Sequence, residues 1–166
     1  MSKRARQYLG LISAVAAYYV VHEGAHLVFA LCTGTFRQIA FLGLGLQIDV
    51  YAQHMTETQM GLFCLVGSVA TSLAAYGFVA GADFLLKSPS RVFKAGMYYV
   101  TLALLVIDPL YLSLLCGFFG GGDMNGIALL MPELPARMAY GVLLLAHGGL
   151  FWRVVLPKYK TSFENP

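Results

Sequence analysis

Long apolar stretches with few charges dominate the pattern along the chain. Four of them are long enough to cross a bilayer as helices, since a span needs about 20 residues. They cover residues 8–33, 59–87, 91–116 and 134–156. The second stretch is rich in Gly, Ala, Ser and Thr, which allow helices to approach closely in lipid. The pattern therefore predicts an all-α polytopic membrane protein with four transmembrane helices.

Two connections between these stretches depart from the helical pattern. Residues 36–52 contain β-forming side chains broken by Gly43 and Gly45, which predicts a short membrane-associated β-hairpin. Residues 117–126, GFFGGGDMNG, hold too many glycines for a stable helix, and glycine permits sharp turns. Irregular backbone at membrane depth is tolerated only inside protein or beside a water-filled cavity. We therefore expect the glycine-rich loop to lie near a wet site.

Composition supports the membrane class. Of the 166 residues, 58% are hydrophobic and only 11% are charged, and the mean hydropathy is +0.70. A soluble domain carries about 25% charged residues, so this chain has too little polar surface for a water-soluble globule. We expect one domain, residues 1–166, with the lipid bilayer as a partner. The net charge of +3 and the lack of a basic patch interleaved with aromatics exclude nucleic acid as an expected partner.

The first apolar stretch has two possible interpretations. Three basic residues precede it, as in a secretory signal peptide: Lys3, Arg4 and Arg6. However, apolar sequence resumes at Leu27, and cleavage near Ala17 would remove part of the helix. We therefore expect an uncleaved first membrane helix. The three cysteines (Cys32, Cys64 and Cys116) all lie in apolar segments, and an odd number spread in this way predicts no disulfide framework.

Three ionisable residues interrupt the first stretch within VVHEGAHLVF, residues 20–29. On an α-helix His22 and His26 lie on one face, about 5–6 Å apart at Cβ, where two neutral imidazoles can bind Zn²⁺. Glu23 sits beside them, where a general base for water belongs in the H-E-x-x-H pattern. Chance or a structural polar cluster is the alternative, but unpaired ionisable groups in lipid are costly and are usually functional. The pattern therefore predicts a metal site with His22 and His26 as ligands and Glu23 as the catalytic residue.

A zinc site needs a third protein ligand, and the sequence leaves several candidates. Asp123 lies in the glycine-rich loop and is favoured, although it could instead be the N-cap of a following helix. Asp108 lies in the third stretch next to Pro109, which lacks a backbone donor and can kink a helix. His147 in the fourth stretch is more typical of a helix–helix hydrogen bond, and Asp83 is more typical of the membrane interface.

The basic residues predict an orientation. They cluster before the first stretch, between the second and third, and after the fourth, whereas only Arg37 and Arg137 fall in the other connections. Both termini are therefore predicted to be cytoplasmic, with the hairpin and the glycine-rich loop toward the outer face.

The order of these features resembles the site-2 protease family of intramembrane zinc metalloproteases. The resemblance rests on H-E-G-A-H in a membrane helix, the hairpin after it, a small-residue second helix and a late Gly-Gly-Asp, over about residues 8–130. The aspartate differs in context, because the family usually has Leu-Asp-Gly after an Asn-Pro-type segment and this chain has Gly-Asp-Met-Asn-Gly. No PDZ-like insert fits into 166 residues, which implies a minimal catalytic core.

The resemblance implies a set of roles for individual residues. His22, His26 and Asp123 would bind Zn²⁺, and Glu23 would activate water. The hairpin at about 36–52 would hold an extended substrate by strand addition. Residues expected to contact substrate are Asp108, near the scissile carbonyl, with Asn125, Gly43 and Gly45.

The expected function is therefore zinc-dependent endopeptidase cleavage of membrane-embedded or membrane-associated peptides or proteins, in the cell membrane of a prokaryote. Well-known bacterial members of the family open their site toward the cytoplasm, in conflict with the orientation that the charges predict. Three alternatives stay open. The first is a membrane metal-binding or transport protein, the second is a catalytically inactive binder of membrane helices, and the third is zincin chemistry on a non-peptide amide.

Overall fold

The fold was analysed in a computed structural model that describes residues 1–42 and 45–164. Its first helix, α1, runs Lys3–Cys32 and is capped by Ser2, whose Oγ accepts a hydrogen bond from the backbone of Ala5. The helix begins at Lys3 rather than at residue 8 because basic residues continue it past the apolar part. It ends at Thr33, and Gly34 turns the chain with a positive φ of 68°.

The predicted hairpin is present. Strand β1 (Phe36–Leu42) pairs antiparallel with β2 (Gly45–Val50), with Ile39 opposite Ile48. A bulge shifts the register between Phe36 and Gln38. Gly43, predicted to contact substrate, lies outside the described residues. After β2 a 3₁₀ turn, Ala52–His54, leads to the next helix.

Helix α2 runs Glu57–Ala80 and starts with a capping box between Thr56 and Gln59. The prediction of one helix over 59–87 needs correction at its end. Gly81 interrupts the helix, and a four-residue helix α3 (Ala82–Leu85) follows.

Helix α4 runs Arg91–Leu110 and continues as a π-helical turn, Tyr111–Leu115, and a 3₁₀ turn, Cys116–Phe118. Pro109 lies inside α4, where its missing N–H leaves the carbonyl of Leu105 without its helical donor. The glycine-rich loop then reverses the chain through three residues with positive φ, Gly120, Gly121 and Gly122. A short helix, α5 (Asp123–Ile127), follows.

The last long helix is longer than predicted. Helix α6 (Glu133–Leu150) passes through a π-helical turn, Phe151–Val155, into α7 (Leu156–Glu164). In total four helical segments within the described residues are long and apolar enough to cross a membrane, as the sequence predicts: Lys3–Cys32, Glu57–Ala80, Arg91–Phe118 and Glu133–Glu164.

Helix α1 packs against both α2 and α4, and α4 packs against α6. Two apolar clusters hold the bundle together, one near the hairpin around Ile48 and Leu112, the other around Leu104 and Tyr159. Large apolar side chains also cover the outside, among them Val20, Leu73 and Leu145. All three cysteines are free, as expected.

Candidate metal centre

His22 and His26 lie on the buried face of α1, one helical turn apart. Their side chains are nearly inaccessible, with residue exposures of 7% and 3%. The two Nε2 atoms are 3.2 Å apart. His26 also packs its ring against Phe63 of α2, with ring centroids 4.7 Å apart. The predicted one-face arrangement of the imidazoles is therefore present, with His26 about 9 Å from the end of the helix at a rise of 1.5 Å per residue.

Asp123 completes the cluster from the opposite side. Its Oδ2 lies 3.1 Å from His22 Nε2 and 3.5 Å from His26 Nε2. One ligand atom from each of the three residues falls within 4.8 Å of the others, a spacing that a metal ion could bridge. Asp123 is the first residue of α5 and not its N-cap, which is Gly122. The three glycines before it allow the backbone to deliver this carboxylate to the histidines.

The charge state of Asp123 also suits a cation site. Burial raises the pKa of the Asp123 carboxyl, but hydrogen bonding to His22 and His26 outweighs burial and lowers it to about 2. The side chain is therefore a carboxylate at neutral pH, the form that binds metal ions.

Asp108 contacts the other nitrogen of His22. Its carboxylate lies 3.2 Å from His22 Nδ1 and accepts short hydrogen bonds of 2.5 Å from Tyr18 Oη and Thr71 Oγ1. A carboxylate only accepts, so a neutral His22 that bound a metal through Nε2 would keep its proton on Nδ1, where Asp108 can accept it. A carboxylate behind a histidine in this way is the usual means of orienting a metal ligand.

His26 lacks such a partner. Its Nδ1 is buried and has no hydrogen-bond partner within residues 1–42 and 45–164. Packing against Phe63 is what positions this ring. The two histidines therefore differ at Nδ1, which contacts Asp108 in His22 and has no partner among the described residues in His26.

Gly67 of α2 gives the cluster its space. A Cβ at this position would lie 2.6 Å from His26 Nε2 and 2.8 Å from His22 Nε2. These are the two nitrogens whose lone pairs a metal would use. The donor set of two imidazoles and a carboxylate, with open space at their nitrogens, therefore fits a metal ion such as Zn²⁺.

Replacing Gly67 with alanine is expected to lower Zn²⁺ affinity by about tenfold or more, because the methyl group occupies the space at both nitrogens. The imidazoles would have to shift to admit the methyl group, although alanine favours a helix over glycine by roughly 0.5–1 kcal/mol. Competition with a chromogenic chelator measures the affinity. Gly77→Ala is the matched control, because a Cβ there would meet no atom within 4 Å. Equal affinities for the two variants would show that the backbone approach of α2 has no part in the site.

Glu23 lies at the edge of the cluster and faces a cavity of about 420 Å³. Its Oε2 accepts a hydrogen bond from the backbone N–H of Ile48 in β2, at 3.1 Å. His26 and Asp123 line the same cavity, together with residues 47–50 of β2. Glu23, the ligand candidates His26 and Asp123, and strand β2 therefore line the same cavity.

The remaining candidates occupy different positions. His147 contacts Tyr76 and the carbonyl of Leu105 and stays away from the cluster. Asn125 is exposed and donates to the carbonyl of Gly120, so it stabilises the glycine-rich loop. The described lining of the cavity does not include Asn125, Gly45 or Asp108. Asp108 is 2% exposed and lies behind His22, where its carboxylate contacts Nδ1 of that histidine.

Several residues that shape the site were not predicted from the sequence: Tyr18, Gly67, Thr71 and the backbone of Ile48. A signal existed for some of them. Tyr18 precedes His22 by four residues and so shares its face. Gly67 and Thr71 are four apart in the small-residue helix, but nothing in the chain shows which of its small residues face the histidines.

Comparison of the chain with protein-family models, with curated proteins and with solved structures gives no match.

Proposed function

We propose that this chain is a membrane-embedded zinc endopeptidase of the site-2 protease type, with His22, His26 and Asp123 as metal ligands. The observation that carries the proposal is the convergence of these three groups beside a cavity that His26, Asp123 and Glu23 line together. Zinc, when bound, supplies a Lewis acid that polarises a carbonyl and lowers the pKa of a water. The donor set and the resemblance in the order of motifs both favour zinc over harder cations.

Glu23 is the general base in this proposal. It takes a proton from the attacking water as the water oxygen bonds to the peptide carbon, and it passes that proton to the amine nitrogen as the C–N bond breaks. The hydrogen bond from Ile48 N–H fixes the Glu23 carboxylate at the cavity edge. The carboxylate therefore needs no large movement to reach a water in the cavity.

The substrate segment is an extended peptide beside β2. Residues 47–50 line the cavity and offer main-chain groups to a third strand. An intact helix keeps its amides hydrogen-bonded internally, so a membrane helix has to unwind before its peptide bonds can be attacked. A short apolar peptide or a helix end of a membrane protein suits this requirement.

The test uses the full-length protein in detergent, stripped of metal and then reloaded with Zn²⁺. Unfolded β-casein and quenched-fluorescent apolar peptides serve as probes. The reloaded protein is expected to cleave at least one of them, and the stripped protein none. Metal flux into liposomes without any cleavage would instead support a transport protein, and zinc binding with neither activity would support an inactive binder.

The same proposal places the four long helices across a bilayer, with both termini in the cytoplasm. The exposed apolar side chains around the bundle support insertion, and the distribution of basic residues supports the orientation. Cysteines introduced at Ser2 and at Glu133, in a variant without the native cysteines, test it. In intact cells, a membrane-impermeant maleimide should label position 133 and spare position 2. The reverse pattern would place the hairpin and the cavity on the cytoplasmic side.

A further inference from the structure

A second cavity, of about 380 Å³, lies at the opposite end of the bundle from the hairpin. It opens between the first turns of α1, the start of α4 and the end of α7. Four basic side chains line it: Lys3, Arg6, Arg91 and Lys160. None of them belongs to the metal centre, so this cavity has no part in the proposed hydrolysis.

The charges around this cavity are poorly balanced. Glu164 is the one acid in the described lining, and its Oε1 lies 4.0 Å from Lys160 Nζ. Among the described residues, Lys3, Arg6 and Arg91 take part in no salt bridge, and Arg6 donates only to the backbone carbonyl of Met1. Several cations that converge without counter-charges fit a multiply charged oxygen anion such as a phosphate.

The depth of the cavity points to the source of that phosphate. The 30 residues of α1 span about 45 Å, longer than the ~30 Å hydrocarbon core of a bilayer. The apolar part begins near Tyr8, so Lys3 and Arg6 extend to the level of the lipid headgroups. Tyr98 and Tyr99 line the same cavity and suit the interface, where aromatic residues concentrate.

The surface below the cavity suits acyl chains. Leu11 follows Gln7, a lining residue, by one helical turn, and it is half exposed, as are its neighbours Ile12 and Val15. We propose that this cavity binds the phosphate of an anionic phospholipid, with Arg6 and Arg91 as its principal contacts and the lipid tails along α1. The site would hold the starts of α1 and α4 to the end of α7.

The test is binding of phosphatidylglycerol to the purified protein, followed by native mass spectrometry, with phosphatidylcholine as the neutral lipid. Arg6→Gln/Arg91→Gln is expected to weaken phosphatidylglycerol binding by about tenfold or more. Arg4→Gln/Lys87→Gln removes the same charge at the same end of the bundle from residues outside the cavity lining, and it should bind as the unchanged protein does.

Two outcomes would overturn the proposal. Equal weakening in both double variants would mean a diffuse surface attraction. Displacement of phosphatidylglycerol by millimolar inorganic phosphate would mean a site for free phosphate.

A contact between α4 and α6 supports a second inference. Pro109 has no N–H, so the carbonyl of Leu105, four residues earlier, loses its helical partner. His147 Nδ1 lies 2.7 Å from this carbonyl oxygen. A carbonyl only accepts, so Nδ1 carries the proton, and Nε2 accepts the hydrogen bond from Tyr76 Oη at 2.6 Å. With 1% exposure, His147 is a buried side chain with both nitrogens satisfied.

The position of this contact connects it to the metal centre. Asp108, which orients His22, directly precedes Pro109 in the turn that His147 closes. We infer that His147 is a positioning residue: it stabilises the proline-distorted turn and thereby holds Asp108 against His22 Nδ1. This inference rests on the metal centre of the proposed function.

A double-mutant cycle between positions 147 and 109 tests this inference, with Zn²⁺ affinity and the melting temperature of the metal-free protein as readouts. His147→Leu is expected to lower the affinity by about tenfold, the scale of a lost outer-shell contact. The loss should shrink in a Pro109→Ala background, where the restored N–H can bond to the Leu105 carbonyl. His147→Gln, whose amide can still donate, should recover part of the affinity, and Tyr76→Phe should change it little.

Other results distinguish the positioning role of His147 from the proposed function. A lower melting temperature with unchanged affinity, or an equal affinity loss in both backgrounds, would overturn the positioning role alone. A wild-type protein that binds no Zn²⁺ would overturn the proposed function as well.

Discussion

Exchange of Glu23 for glutamine is expected to reduce peptide hydrolysis by about 10²–10⁴-fold, the usual contribution of a general base. Glutamine keeps the shape of the side chain and can still accept the hydrogen bond from Ile48 N–H. It cannot take a proton from water. Because Glu23 is not one of the three converging ligand groups, the bound zinc should stay near the wild-type amount. Initial cleavage rates and metal content measured on the same preparation give both quantities.

Glu57→Gln is the matched control for this variant. Glu57 lies in the exposed first turn of α2, outside the described cavity lining, so its loss should leave the cleavage rate unchanged. Full turnover in the Glu23 variant would exclude this residue as the base. Loss of zinc along with activity would point to a direct role of Glu23 in metal binding.

Removal of the third ligand should have the largest effect on metal content. Asp123→Asn takes away the carboxylate charge and one of three ligand atoms, and the purified protein is expected to retain almost no zinc. The reason is that two imidazoles one helical turn apart leave zinc short of the three protein ligands that a catalytic site uses. Elemental analysis of the protein after dialysis against metal-free buffer measures the loss.

Asp108→Asn is the comparison variant for Asp123→Asn. Tyr18 and Thr71 donate to different oxygens of the Asp108 carboxylate, so the single amide oxygen could keep only one of these hydrogen bonds. The amide would also no longer offer His22 a charged acceptor. Zinc affinity is expected to fall by about 10–100-fold without complete loss. Complete loss in the Asp108 variant with retention in the Asp123 variant would reverse the two assignments and move the third ligand into α4.

The two effects differ because the two carboxylates contact opposite nitrogens of His22. Asp123 faces Nε2, together with His26, whereas Asp108 faces Nδ1 from behind the ring. Asp123 therefore belongs to the set of groups that could bind a metal, whereas Asp108 sets the proton position and the ring angle of His22.

The sequence by itself determined the four long helices and identified His22, Glu23 and His26 as candidate site residues. Apolar stretches of bilayer length leave few alternatives to a helix, because only a helix satisfies all its backbone groups within one segment. The four-residue spacing of His22 and His26 placed both side chains on one face of α1, because residues four apart are neighbours on the surface of a helix. Helix ends were less accurate, since α1 and the last helix continue through polar residues whose pattern resembles that of a loop.

Only the tertiary structure decided how distant parts of the chain share one site. The sequence favoured Asp123 as the third ligand, but Asp108 and His147 stayed open as alternatives, since each is an ionisable group in or near an apolar segment. Their roles separate once α4, the glycine-rich loop and α6 are packed: Asp108 lies behind His22, Asp123 faces both imidazoles, and His147 bonds to a carbonyl left open by Pro109. Gly67 gave no local signal, because its importance lies in the atoms that a neighbouring helix brings against it. Spacing along one helix is fixed by backbone geometry, whereas contacts between helices depend on packing that residues far apart in sequence determine together.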